Sequence, residues 1–95
     1  MEFFIKENSW IAKLAARKLQ TQSVAIVLGK TIHLYNVTKK EFLKNEKWVK
    51  HETRHLQQFQ HYGFFRFILM YVWEGMRKGY HNNKYEIEAR LAEEQ

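Results

Sequence analysis

The residues of this chain best suited by type and spacing to chemistry are His51, Glu52 and His55, set in His51-Glu52-Thr53-Arg54-His55. This is an H-E-x-x-H pattern. On a helix, positions four apart project from one face a turn apart, so both imidazoles can grip one metal ion. Glu52 follows the first histidine, where its carboxylate can act on a water at that metal. A chain of this composition yields the five letters by accident roughly one time in forty. The weight of the match therefore depends on whether the rest of the chain supplies a third ligand, a substrate platform and a helical scaffold.

A catalytic zinc site takes three protein ligands and keeps an open position. His61 stands ten residues after His51, the spacing of H-E-x-x-H-x-x-G-x-x-H. That pattern needs glycine at its eighth place to break the helix, and Gln58 stands there. If the helix continues, His61 lies about 9 Å further along the axis than His55, out of reach of the same ion. The alternative is a glutamate from a later helix, Glu86 or Glu88. Glu88 points about 200° around the helix from Glu86, so only one of them can face the metal. Glu86 could equally be the N3 partner of an Asn83 cap, and the residues alone favour it as a ligand only slightly.

The elements that must position these groups follow from pattern. Ser9 is a candidate N-cap for a helix to about Gln20, with Ile11, Leu14, Ala15 and Leu19 as its apolar stripe. Residues 1–7 read as a short strand or arm. Val24–Leu28 is a continuous apolar run and Thr31–Tyr35 alternates, which predicts a β-hairpin through a type II′ turn at Gly29-Lys30. The second strand is expected to be the more exposed, with Thr31, His33 and Tyr35 facing outward. Its edge then becomes the candidate platform for an extended peptide. Thr38 to Glu41 forms a capping box for a short helix. The main helix runs from about Glu46 to Tyr62 and stops at Gly63. Its inward stripe, Trp48, Val49, Glu52, His55, Leu56 and Phe59, mixes ionisable with large apolar groups. Burying such groups costs several kcal/mol unless they are paired or bind metal, so the stripe supports ligation.

Phe64 to Lys78 is a strongly apolar helix ended by Gly79, with Phe64, Ile68, Tyr71 and Val72 on one side and Phe67, Met70 and Met76 widening the stripe. Its expected role is core; a membrane-surface or homodimer face is the alternative. Tyr80 to Asn83 reads as a polar turn. A last helix runs from about Asn83 to Glu93, with Tyr85, Ile87, Ala89 and Leu91 available for packing.

Bulk composition bounds the rest. The 95 residues make one domain, 45% hydrophobic and 16% aromatic, too apolar for a disordered tail. Cysteine is absent, so neither a disulfide framework nor a thiolate zinc site is available, and every acidic residue is Glu. No signal peptide is visible, and Phe64 to Trp73 is too short for a membrane span; a cytoplasmic location is expected. The net charge of +6 comes from scattered basic residues with no nucleic-acid motif, so no specific nucleic-acid partner is expected.

Three stretches, VAIVLGKTIHLYN, HETRHLQQFQHYGFFRF and GYHNNKYEIEAR, together resemble the minigluzincins. These are small soluble proteins similar to the catalytic core of integral-membrane gluzincin peptidases, including the prenyl-protein proteases. The resemblance covers most of the chain. It implies an α+β, mostly helical single domain over residues 1–95: a backing helix, a small sheet, the H-E-x-x-H helix, a connecting helix and a helix bearing a glutamate ligand. Relatives read E-x-x-x-D around that glutamate, often E-x-x-A-D. Setting YEIEAR against this puts Glu86 on the ligand, Ala89 on the alanine and Arg90 on the aspartate. Arginine cannot accept the hydrogen bond that the aspartate takes from a ligand histidine, so either another group orients the imidazole here or the site is weaker than in relatives.

The resemblance implies a zinc metallopeptidase acting on a peptide or protein substrate. One Zn²⁺ would be held by His51, His55 and Glu86, with Glu52 as general base and with latency a family feature. Tyr80 or His81 would assist the oxyanion or serve only as turn residues. Two other readings remain: a zinc-binding domain without catalysis, and a basic membrane or nucleic-acid module in which H-E-x-x-H is accidental.

Overall fold

The computed structural model describes residues 2–95 as an α+β domain. Elements follow the order β1 (Phe4–Lys6), α1 (Trp10–Leu19), β2 (Val24–Leu28), β3 (Thr31–Tyr35), α2 (Lys39–Lys44), α3 (Glu46–Tyr62), α4 (Phe64–Lys78) and α5 (Lys84–Ala92).

Each helix begins where the local chemistry permits. Ser9 accepts from the Ala12 amide, and Asn45 accepts from the Trp48 amide. Thr38 and Glu41 satisfy each other's backbone amides as a capping box, at 3.0 and 2.9 Å. Gly63 closes α3 and opens α4 at φ 88°, ψ 157°, a conformation essentially confined to glycine. Between β2 and β3, Gly29 takes φ +65° while Lys30 stays at negative φ, as a type II′ turn requires.

The sheet order is β1-β3-β2. β3 pairs parallel with β1, Ile5 opposite Ile32, and antiparallel with β2, Val27 opposite Ile32. The expectation of an exposed second strand is therefore corrected: β3 is central, hydrogen-bonded along both edges, and its Ile32 and Leu34 are fully buried. The outer edges of the sheet belong to β1 and β2. One face of the sheet, with Val24, Ile26 and Tyr35, packs on Ala12, Ala15 and Ala16 of α1. The opposite face, with Ala25, Val27, Ile32 and Leu34, joins Phe42, Leu56, Phe59, Phe67 and Tyr85 in the main core.

Three helices bury a different stripe from the one their large residues indicated. On α1 the buried positions are Ala12 and Ala16, while Leu14 is 54% exposed; small side chains let the helix backbone approach the sheet. On α5, Tyr85, Glu86, Ala89 and Ala92 are buried and Ile87 and Leu91 are exposed, because the face that holds Glu86 and Ala89 lies against α3. On α4, Phe67 is buried among Phe59, Tyr62 and Tyr85, whereas Phe64, Val72 and Met76 are exposed. That helix is apolar all round, so periodicity alone could not choose its inner face.

Candidate metal centre

Helix α3 passes beneath the sheet and carries its polar groups into the core. Glu52, His55 and Gln58 are buried on it and His51 is half-buried. Helix α5 packs alongside α3, and its first turn brings Glu86, 4% exposed, against both histidines. Glu86 Oε1 lies 3.1 Å from His51 Nε2, and Glu86 Oε2 lies 3.2 Å from His55 Nε2. One donor atom from each of the three residues falls within 4.8 Å of the other two. Ligand atoms placed about 2.0–2.1 Å from a tetrahedral zinc sit roughly 3.3 Å apart; each histidine lies at about that distance from a different oxygen of Glu86, so the cluster could close on one ion with a small shift of the carboxylate. The donor set is two imidazole nitrogens and one carboxylate oxygen, which a zinc ion accepts.

The far side of each imidazole is equally fixed. His51 Nδ1 is 2.7 Å from Glu93 Oε2, and His55 Nδ1 is 2.8 Å from Gln58 Oε1. Both partners are acceptors, so each Nδ1 carries a proton and donates it; each Nε2 faces Glu86, and a metal bound there would take the place of the proton shared with that carboxylate. Gln58 is itself anchored by donating to the Tyr85 carbonyl and to Glu88, at 3.2 and 3.1 Å. The residue that fills the helix-breaking position of the longer histidine pattern thus orients His55. Arg90 plays no such role, and its guanidinium donates to the His81 carbonyl at 2.5 Å. Glu93, one turn after Arg90, is the group that accepts from His51.

Electrostatics follow from this packing. Burial alone would depress His51, but hydrogen bonds to Glu86 and Glu93 and the charge of Glu52 outweigh it and raise its pKa to about 9. His55 shifts upward by the same balance, with Glu86 dominant. Burial opposes ionisation of Glu86, yet its hydrogen bonds with both histidines hold it far below the ordinary carboxylate range. Glu52 behaves oppositely. Burial raises its pKa to about 7 against the pull of His55 and His51. Its carboxylate, 4% exposed, lines the cleft. A buried carboxylate titrating near neutrality in a cleft is the expected condition of a general base.

The cleft beside these groups has a volume of about 230 Å³. The β2 strand forms one wall; Phe67, Ile68, Tyr71 and Val72 of α4 form another; Glu52 and the histidines lie at its base. Tyr71 was read only as a core residue, but its hydroxyl donates to Glu86 Oε2 at 2.5 Å. Burial and then the charge of Glu86 raise its pKa, so the phenol stays protonated. Helix α4 being apolar on every side, no spacing signal marked Tyr71. Glu93 and Gln58 were missed because their role depends on how α5 packs on α3.

The remaining candidates separate. Tyr80 lines the cleft together with His51 and Glu52. His81 is exposed and absent from the cleft lining. His61 is exposed on the last turn of α3, stacked edge-on against Tyr62. Glu88 pairs with Arg54 at 3.6 Å. Thr31, His33 and Tyr35 do not reach the cleft: they face the α1 side of the sheet, where His33 Nδ1 lies 2.8 Å from Ser9 Oγ. Peptide addition at β3 has no free edge to use, which corrects the platform expected at these residues. No family model, curated protein or solved structure matches the chain.

Proposed function

We propose that this protein is a zinc-dependent metallopeptidase of gluzincin type. The observation that carries the reading is the clustering of His51, His55 and Glu86, whose donor atoms lie within 4.8 Å of one another, with each imidazole pinned from behind by an acceptor. When bound, zinc supplies Lewis acidity and an acidified water. Glu52 takes the proton from the attacking water and delivers it to the leaving amine. Tyr80, at the cleft mouth, donates towards the developing oxyanion. Tyr71 donates to Glu86 Oε2, the oxygen that faces His55, and so helps to fix the orientation of that carboxylate.

The unpaired edge of β2 is the substrate platform. It is the sheet's open strand on this side, and its residues line the cleft above Glu52. An extended peptide can add to it through main-chain hydrogen bonds. The test is the Glu52→Gln variant on a degenerate peptide library. The variant is expected to bind one zinc equivalent as the wild type does and to lose about 10²–10⁴-fold in cleavage rate. Cleavage by the variant at the wild-type rate would remove the catalytic role and leave a zinc-binding domain. Less than half an equivalent of zinc in the wild type, after addition of zinc, would remove the metal reading altogether.

A further inference from the structure

Helix α4 turns an apolar face to solvent. Phe65, Leu69, Val72, Trp73 and Met76 are 79, 70, 51, 62 and 76% exposed. Their spacing sets them in a stripe roughly 100° wide. The opposite side of the helix is already used, with Phe67 and Glu74 buried and Ile68, Met70 and Tyr71 packed on the core. Arg66 and Arg77 border the stripe along one edge. Both are exposed, and among the described residues neither has an ion-pair partner. The only carboxylate on α4, Glu74, is buried and accepts from the Lys84 amide. The outer surface of this helix is therefore apolar and cationic, without an acid.

At the area typical of such side chains, the stripe exposes roughly 600 Å², the top of the range for the largest apolar patch on a monomer. A second copy fits it poorly. The area is below the roughly 800 Å² per partner of a stable interface. An antiparallel two-fold pairing would bring the two arginine borders together along one edge, in a chain that already carries +6. An anionic lipid surface satisfies both halves of the pattern, taking the apolar stripe into the acyl boundary and the arginines at its phosphates. No helix among the described residues is long and apolar enough to cross a membrane, so the helix would lie in the interface plane.

We propose that the outer face of α4 docks on an anionic bilayer surface through Phe65, Leu69, Val72, Trp73 and Met76, bordered by Arg66 and Arg77. Val72 belongs to both the stripe and the cleft wall, so docking sets the cleft mouth beside the lipid. The proposal is independent of the peptidase reading, because it requires neither zinc nor Glu52.

The experiment is co-sedimentation of the full chain with vesicles of equimolar phosphatidylglycerol and phosphatidylcholine, and with phosphatidylcholine alone, with and without a zinc chelator. Wild type is expected to partition onto the mixed vesicles equally in both conditions. Leu69→Glu combined with Met76→Glu should weaken binding at least tenfold with unchanged helical circular dichroism. Arg66→Gln combined with Arg77→Gln should weaken binding to the mixed vesicles about thirtyfold. Brominated lipid in the mixed vesicles gives a readout with gentler variants: Trp73→Phe should lose most of the quenching and Trp10→Phe should keep it. Absence of wild-type binding at excess lipid would overturn the proposal. So would binding that the double glutamate variant retains, quenching that survives Trp73→Phe, or a micromolar dimer abolished by the glutamates without any vesicle binding.

Discussion

Removing the carboxylate of Glu93 isolates the hydrogen bond behind His51. Its Oε2 is 2.7 Å from His51 Nδ1, and its side chain is 28% exposed. Glu93 follows the last residue of α5, so truncation disturbs little packing. Loss of such an orienting partner typically weakens metal binding 10–100-fold, about 1.4–2.7 kcal/mol. The expected loss depends on pH. Glu93 also helps raise His51 to about 9 in the zinc-free protein, and zinc must displace that proton. In Glu93→Ala the competing proton is held less tightly, which offsets part of the lost orientation at low pH. The ratio of wild-type to variant affinity should therefore be larger at pH 8.5 than at pH 6.5. Chelator competition measures both affinities. Glu93→Gln, whose amide oxygen can still accept, should recover part of the loss. Glu94→Ala serves as the control, because its contact with Lys47 is solvent-exposed and worth little. A Glu93→Ala affinity within twofold of wild type at pH 8.5 would refute the reasoning.

The same electrostatics govern the zinc-free fold. His51 has its pKa raised above the unfolded value, so its contribution to stability is full below about pH 6.5 and is lost as pH rises through about 9. Glu86 is depressed, so its contribution is present above about pH 4.5 and is lost as pH falls towards its folded pKa. Thermal melts of the chelator-treated protein should therefore peak in mildly acidic solution, and a maximum above pH 9 would contradict the cluster. Zinc binding near pH 7.5 should release at least one proton, seen by calorimetry in buffers of different ionisation enthalpy. Glu52, with its pKa raised to about 7, destabilises the fold increasingly as pH climbs from about 4.5 to 7. Glu52→Gln should accordingly raise the melting temperature at pH 8, and a lowered one would argue against a desolvated carboxylate. Leu56→Ala, at a position 2% exposed in the main core, should cost about 2–5 kcal/mol in denaturant unfolding.

The sequence disclosed the site better than its surroundings. Helix α3 was legible to the residue, since Asn45, the mixed stripe from Trp48 to Phe59 and Gly63 all act locally. Gln58 in place of glycine was enough to set His61 aside, because helix continuity depends on the backbone alone. The position of β3 was not legible. Residues 4–6 become a strand only by pairing with residues 31–33, and three residues of apolar lead-in do not reveal which edge they will cover. Burial on α1 and α5 was misread in favour of Leu14, Ile87 and Leu91, because closeness of packing selected the alanines. Arg90 marked a missing acceptor in the sequence. That Glu93 accepts from His51 could be seen only once α5 lay against α3.

The most direct test of the proposed metal centre is a crystal structure of the zinc-loaded protein with anomalous data collected at the zinc edge. One peak is expected, about 2.0–2.2 Å from His51 Nε2, His55 Nε2 and a Glu86 oxygen, with a fourth position open towards Glu52. A zinc ion bound elsewhere, at His61 or His81, or no peak among His51, His55 and Glu86, would contradict it.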